Sequence, residues 1–513
     1  MGYNLAMSDQ SPKIITTFQN RLEMDAAVRS LGETSGDWEL RQRAQEIAQR
    51  YGDKVLPALL AALDTSNPQL RGGLGHLAKR LDKPVAISAL SAAARNRALP
   101  DQARLTAVTI LERFLEVTPD DAMYAGMAAP EQLALHSLRE VLADTQSDPM
   151  VLVEYFRQLE AEPPDVQLTM ARAARLLEDA QGVELLSMFV QGPTQPAALE
   201  ALQTLGMIVD PAAAAALQGV TPSLPPELRR QAERALQKLR LRGVAVPALS
   251  TPPGEARCLA SAINGEGQQM LWFFLPQAGE SSGDVLEVLI SQQQGIVAAV
   301  GRREVEADAL PERQTPGALL QGGGDQPLLL EAGVDYGRRR LLAVLPRTWA
   351  AEQPTPLPYR LLGPQLWRWA RPEPAAPLPE TAAAGREDTV KLLQHPAMGA
   401  WFLQSRAIYA RAEKVLTGSE APTHEAFAQM IAQTLQEALD SGALSPAALH
   451  SSLAAMAEWF TLAGDAQHAD LALAAAQTVE EEPASHPLLL LMSELGLRLA
   501  LINLTRGLLP EMG

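Results

Sequence analysis

Along the first half of the chain apolar residues recur at the three-to-four-residue spacing of an amphipathic helix, and one nine-residue frame returns several times. Its clearest copy lies within residues 101–115, where it runs from Ala103 through Arg104 to Leu111. The same frame fits residues 40–48 around Arg41, 70–78 around Arg71 and 228–236 around Arg229. The first three arginines are 30 and then 33 residues apart, and the 125 residues from Arg104 to Arg229 are close to four such periods. A period of this length predicts stacked two-helix units, because one helix pair cannot bury its apolar face alone. Ala44, Ala107 and Ala232 share a position where a short side chain lets neighbouring helices approach, and a Leu or Ile three to four residues on faces the interior. Each unit reads as an arginine-bearing helix, a short break and a second helix: residues 38–50 then 54–63, and residues 68–81 then 85–97. Asn67-Pro68, Pro100-Asp101 and Pro225-Pro226 mark helix starts, since proline's missing N–H has no intrahelical partner in the first turn. Between residues 118 and 224 the frame blurs, but helices are expected at 130–142, 148–159, 166–177, 183–190, 196–208 and 211–217.

The pattern changes after a proline-bearing stretch at 246–254. Residues 256–263 and 269–275, joined by Asn264-Gly265-Glu266-Gly267, predict one β-hairpin, and 284–291 with 296–300 predict a second. Both faces of 284–291 are partly apolar, which calls for a sheet covered on at least one side, with residues 328–350 as the covering helix. Eight prolines in residues 351–386 predict an extended linker. Beyond it the helical period returns, with helices opening at His395-Pro396 and His486-Pro487 and a pair at 423–439 and 445–463 between them. The expected class is mainly α. It comprises a tail and capping helix (1–36), a helical repeat array (37–245), a small α+β module with antiparallel hairpins (255–350), a Pro-rich linker (351–386) and a C-terminal all-helical domain (387–513).

The arginine spacing, the turn Asp or Asn upstream of the arginine, and the Ala/Leu placement resemble HEAT or armadillo-like repeats over about 210 residues. The resemblance implies an α-solenoid of HEAT-like helix pairs across 37–245, with a concave surface suited to holding another protein. Such repeats are defined by packing, so function does not follow from them. Residues 457–465, followed by Ala469, Ala472, Ala476 and Pro483, resemble one tetratricopeptide-type hairpin.

Composition agrees with helices: the chain is 47% hydrophobic but only 4% aromatic, which favours closely stacked helices over a β-sandwich. A net charge of −17 repels nucleic acid and anionic lipid. More than half of it lies in residues 387–513, with 15 acidic against 6 basic residues. The single cysteine, Cys258, cannot form an intramolecular disulfide, so a reducing, cytoplasmic setting is expected. The first twenty residues lack a signal-peptide pattern, and Ala6 stands where myristoylation wants Ser or Thr. The apolar run 487–509 carries Glu494, Arg498 and Arg506, so a buried helix rather than a membrane span is expected.

Local catalytic signatures are missing: there is no HExxH, no pair of histidines at i, i+4, no GxSxG and no phosphate-binding P-loop. Gly73-Leu74-Gly75-His76-Leu77-Ala78 matches a dinucleotide fingerprint in letters but follows a helix start instead of a strand, so its glycines are expected to serve close helix contact. Cys258 on a predicted strand reads as a small buried hydrophobe, and His395 and His486 before proline read as capping or solvent-facing residues. No catalytic, cofactor-binding or metal-ligating residue is expected. Two partner-binding candidates remain. Arg230, Arg234 and Lys238 at i, i+4 and i+8 form a positive stripe, read as a solvated face, a dock for the acidic C-terminal region, or a site for an acidic partner or phosphate backbone. Trp367 and Trp369 either pin the linker or present an anchor to a partner. The recurrent arginines themselves are expected to form an ion-pair ladder between turns or repeats, each exposed pair contributing about 0–1 kcal/mol. The leading expectation is thus a non-catalytic protein–protein interaction scaffold. The alternative is a nucleic-acid-binding or DNA-lesion-processing HEAT-like protein; 22 basic against 26 acidic residues in 37–245, with Trp38 the one tryptophan there, run counter to it.

Overall fold

The computed structural model describes residues 21–34, 36–65, 67–124, 130–145, 150–177, 179–277, 282–320, 328–351, 353–418 and 423–508. The chain is mainly helical with one antiparallel sheet of six strands. It divides into two compact units, Met1–Ala143 and Asp144–Gly513. The division falls inside the stretch expected to be a single array, and most of the expected N-terminal tail lies outside the described residues.

The first unit contains α1 (Asp37–Tyr51), α2 (Leu56–Ala61), α3 (Pro68–Ala78), α4 (Lys83–Arg95), α5 (Asp101–Arg113), the single turn α6 (Asp121–Tyr124) and nearly all of α7 (Pro130–Asp144). Side chains fix the starts: Asn67 Oδ1 accepts the N–H groups of Gln69 and Leu70, and Asp82 accepts that of Val85. The recurring apolar positions meet in one core that includes Leu31, Leu40, Ala44, Leu59, Leu74, Leu77, Leu90, Ala107 and Leu111. The glycines of α3 find their reason here. A Cβ on Gly73 would lie 2.8 Å from Leu31 Cβ, and one on Gly75 would lie 2.3 Å from the Phe114 ring. They are contact glycines inside a helix.

Arg104, 1% exposed, keeps the expected ion pair with the turn residue Asp101 and adds main-chain partners to it. Its Nε donates to Ala94 O (2.9 Å) and one terminal nitrogen to Met123 O (3.0 Å), while the Asp101 carboxylate accepts at 3.3 Å. Arg229 likewise donates to Pro222 O and Leu224 O, at 3.2 and 3.1 Å. A guanidinium taken out of water turns to main-chain carbonyls because dry donors are costly, and carbonyls at helix ends are the acceptors within reach; the Arg229 Nε alone of that group is buried without a partner.

The second unit opens with α8 (Val151–Glu160), α9 (Pro164–Ala174), α10 (Asp179–Val190), α11 (Gln195–Leu205), α12 (Pro211–Val220) and α13 (Pro226–Leu241). The sheet follows, with β1 (Arg257–Ser261), β2 (Gln268–Pro276), β3 (Ser282–Ser291), β4 (Gly295–Glu306), β5 (Leu319–Leu320) and β6 (Leu329–Glu331) in the order β4-β3-β2-β1-β6-β5. Both expected hairpins are present, with Cys258 opposite Phe273 and Leu286 opposite Phe273 on the other side. Asn264 Oδ1 accepts from Glu266 and Gln268 N–H, and Gly267 takes φ +74°, which shapes the first turn.

Two expectations are corrected. Residues 329–331 are strand, paired to β1, and the covering helix α14 (Val334–Ala350) begins only after Gly333 at φ +74°. A three-residue apolar run carries no period, so its pairing partner decides its conformation. The stretch taken as an extended linker holds α15 (Leu357–Leu366), whose Tyr359, Leu361, Leu362 and Leu366 are buried. Pro358 is tolerated in the first turn. Gly219 of α12 lets Pro364 approach, since a Cβ at that glycine would lie 2.7 Å from Pro364 O. Further on the chain does run extended, strapped to a later helix: Ala383 and Ala384 N–H donate to the Asp470 carboxylate at 2.8 and 2.7 Å.

The remaining helices are α16 (Arg406–Thr417), α17 (His424–Asp440), α18 (Pro446–Leu462), α19 (Ala466–Thr478) and α20 (Pro487–Thr505). Helices α18 and α19 form a hairpin across Gly464, at φ +73°. By length and composition alone α20 could cross a bilayer. Its Leu488, Leu489, Met492, Leu497 and Ala500 are buried, and Leu403 N–H donates to Met492 O at 3.0 Å.

Two substitutions probe the first unit. Gly75→Ala should gain up to about 1 kcal/mol of helix propensity yet destabilise on balance by roughly 1–2 kcal/mol through the clash with Phe114. Arg104→Met should cost about 2–3 kcal/mol by stranding two buried carbonyls. Urea denaturation of the full chain, followed by hydrogen exchange of residues in α3 to α5, measures both; a stability equal to the parent for Arg104→Met would refute the clamp.

Candidate functional site

The positive stripe lies on α13. Ala232, Ala235, Leu236 and Leu239 bury one face, which turns Arg230, Arg234 and Lys238 to solvent. Among the described residues none of these three makes an ion pair or a side-chain hydrogen bond, the acids Glu227 and Glu233 of the same helix included. Leu241, about two turns beyond Arg234 on the same side, is 82% exposed, and Met207 and Val209 in the loop before α12 are 39% and 63% exposed. Arg242 ties that loop to the end of α13 through weak bonds to Gly206 O and Met207 O, at 3.5 and 3.4 Å. A row of cations therefore runs beside exposed aliphatic side chains on a packed helix.

The two tryptophans behave differently. Trp367 and Trp369 are 4% and 8% exposed. The Trp367 indole N–H donates to Tyr359 Oη at 3.2 Å, and Tyr359 Oη is 3.0 Å from Ser223 Oγ. The Arg338 guanidinium lies 5.7 and 5.9 Å from the two rings and donates to Trp369 O and Ala370 O. Burial holds the Tyr359 phenol up at about 12 and draws the Arg338 guanidinium below its usual range. The tryptophans pin the chain to the core, which corrects the expectation that they could anchor a partner.

Cys258 is fully buried, and burial together with the charge of Glu331 pushes its thiol well above the ordinary range. A thiol held protonated is a poor nucleophile. Beside it, Arg257 and Glu331 form a buried two-point ion pair at 3.1 and 2.7 Å. These groups build the sheet's interior.

Sequence reasoning missed one cluster. Asp465 caps α19: its Oδ1 accepts His468 N–H at 3.0 Å and its Oδ2 lies 2.7 Å from His468 Nδ1. His395, 70 positions upstream of Asp465 in the sequence, brings its Nε2 to 3.8 Å from the same Oδ2. The imidazole rings of His395 and His468 have centroids 4.7 Å apart, and Phe460 stands edge-on to His395 at 4.9 Å. Burial and then the neighbouring His468 charge lower His395, against the pull of Asp465. Burial works to raise Asp465, but the His468 amide and ring outweigh it and leave the carboxyl below its usual range. The Asp-x-x-His spacing at a helix start was readable as a cap; the return of His395 to it was not, because nothing local in sequence encodes that meeting.

His486 shows the same residue type in an inert role. It is fully buried, with Nε2 3.0 Å from Thr478 Oγ1 and Nδ1 without a partner. Burial, helped by the charge of Arg386, pushes it down to about 4. The unfolded chain takes up this proton near pH 6.5 while the folded chain refuses it, so stability is complete above that pH and falls as the pH drops towards 4. The loss should be on the order of 2 kcal/mol, and His486→Gln should flatten that part of the stability–pH curve; an unchanged slope in urea titrations at about pH 7 and about pH 4.5 would refute the assignment.

Set against known proteins, the chain matches no family model, no curated protein and no solved structure.

Proposed function

We propose that the protein is a non-catalytic interaction scaffold, built on HEAT-like helix pairs in a solenoid arrangement, that holds an acidic segment of a partner protein on α13. The observation that carries this reading is the exposed row Arg230, Arg234 and Lys238 beside Leu241, without ion pairs among the described residues, on a chain of net charge −17. Cations that an acidic protein leaves without acids of its own are available to acids from elsewhere. A partner that meets them gains both steering and desolvated apolar contact. The recurring frame supports the repeat reading, and the packing of α13 through Ala232 to Leu239 supports its use as a contact face. A cytoplasmic setting fits the single cysteine.

The triple variant Arg230→Glu, Arg234→Glu, Lys238→Glu tests it. Surface substitutions of this kind should change stability by only about 0.5 kcal/mol each, while partner recovery in crosslinking affinity purification should fall at least about tenfold; in the parent protein the partner should crosslink to Lys238. Undiminished recovery of the same partner would reject α13 as the contact face. Salt-dependent retention of duplex DNA in a gel shift, abolished by the same variant, would replace the protein partner with nucleic acid.

A further inference from the structure

We propose that His395, Asp465 and His468 form a binding site for a divalent transition ion of the Zn2+ type. One donor atom from each side chain lies within 4.8 Å of the others. His395 Nε2 is 3.8 Å and His468 Nδ1 is 2.7 Å from Asp465 Oδ2. Donors around a tetrahedral Zn2+ lie about 3.3 Å apart at bond lengths of about 2.0–2.1 Å. The first pair must therefore close, and the second open, by about half an ångström. Two imidazoles and one carboxylate suit Zn2+, Co2+ or Ni2+ and not Mg2+ or Ca2+, which want oxygen alone.

The site is half-buried and its parts are held. Asp465 is anchored as the cap of α19, and His468 sits in the first turn of that helix. His395 is wedged against Phe460, and its Nδ1 accepts Ala397 N–H at 3.0 Å. That bond places the ring proton of the free protein on Nε2, facing Asp465, so the ion takes a definite exchange. His395 releases the Nε2 proton to solvent and takes one up on Nδ1, and the Ala397 amide gives up its acceptor. His468 binds through Nδ1, gives up the proton there and keeps one on Nε2. With both rings neutral once bound and Asp465 ionised, the loaded site carries one net positive charge. Three protein ligands leave a fourth position for water. The ion would join the corner at 395–398 to the α18–α19 turn, a crosslink between segments far apart in sequence, and this clamp is independent of the contact face on α13.

The full-length protein, stripped with chelator, is titrated with Zn2+ by calorimetry and with Co2+ by visible absorption, and its thermal midpoint is followed. Asp465→Asn keeps a helix cap, and His395→Asn keeps an acceptor for Ala397 N–H, so each removes a ligand without removing the local structure. His424→Ala, on an exposed histidine at the start of α17, is the control. The expected result is one ion per chain, four-coordinate Co2+ bands and a raised midpoint. Affinity should fall about 100-fold or more in Asp465→Asn and His395→Asn and stay unchanged in His424→Ala. No saturable site, or binding that survives both ligand variants, would overturn the proposal and leave the cluster as a helix cap packed on aromatic rings.

Discussion

A guanidinium taken out of water has five N–H donors to satisfy, and the second unit is assembled around several that pair most of them, although the Arg338 Nε is left without a partner. Arg338 donates to Asp335 and to the carbonyls of Trp369 and Ala370. Arg360 pairs with Glu160 and donates to Thr355 O. Arg257 takes both oxygens of Glu331 and adds Pro311 O at 2.7 Å. Each joins segments distant in sequence, and each would leave a buried charge or bare carbonyl if truncated, a loss of about 3–5 kcal/mol for a broken buried pair. With few aromatic side chains to fill the gaps between helices and sheet, planar guanidiniums supply both volume and directed bonds. The row on α13 departs from this pattern of satisfied charge, which is why it reads as a surface for something else.

Close approach is the second constraint. A Cβ on Gly337 of α14 would lie 2.5 Å from Cys258 Sγ and 2.6 Å from the Phe273 ring. The helix therefore rests on β1 and β2 at backbone distance, and the polar set beneath it, Gln269, Tyr336 and Arg340, is closed off from water. The same logic holds at Gly496 of α20, where a Cβ would lie 1.9 Å from Leu403 O. Helix α20 thus meets the 403–408 stretch at contact distance at Gly496.

Much of the local structure was legible. Asn67 and the prolines at 68, 100 and 226 marked helix starts that the structure reproduces, because capping and the missing proline N–H act within one turn. The hairpins were legible from alternation and from Asn264 and Gly267, whose turn chemistry is also local. Residues 329–331 and 357–366 were not, since a short apolar run and a proline-rich stretch take their conformation from what lies against them: β1 in one case, α12 and the sheet in the other. The arginine frame and the Arg104–Asp101 pair were visible, but the main-chain carbonyls that Arg104 and Arg229 also reach were not, because those partners depend on which loop the fold brings near.

The candidate sites divide along the same line. The sequence by itself determined the stripe of Arg230, Arg234 and Lys238, because residues four apart on a helix share a face whatever surrounds it. It also determined the Asp465–His468 cap, a matter of one helical turn. Only tertiary structure decided that Trp367 and Trp369 are buried against Arg338, and that His395 meets the cap. Both depend on contacts between segments tens of residues apart, and such contacts are selected by the packing of the whole unit.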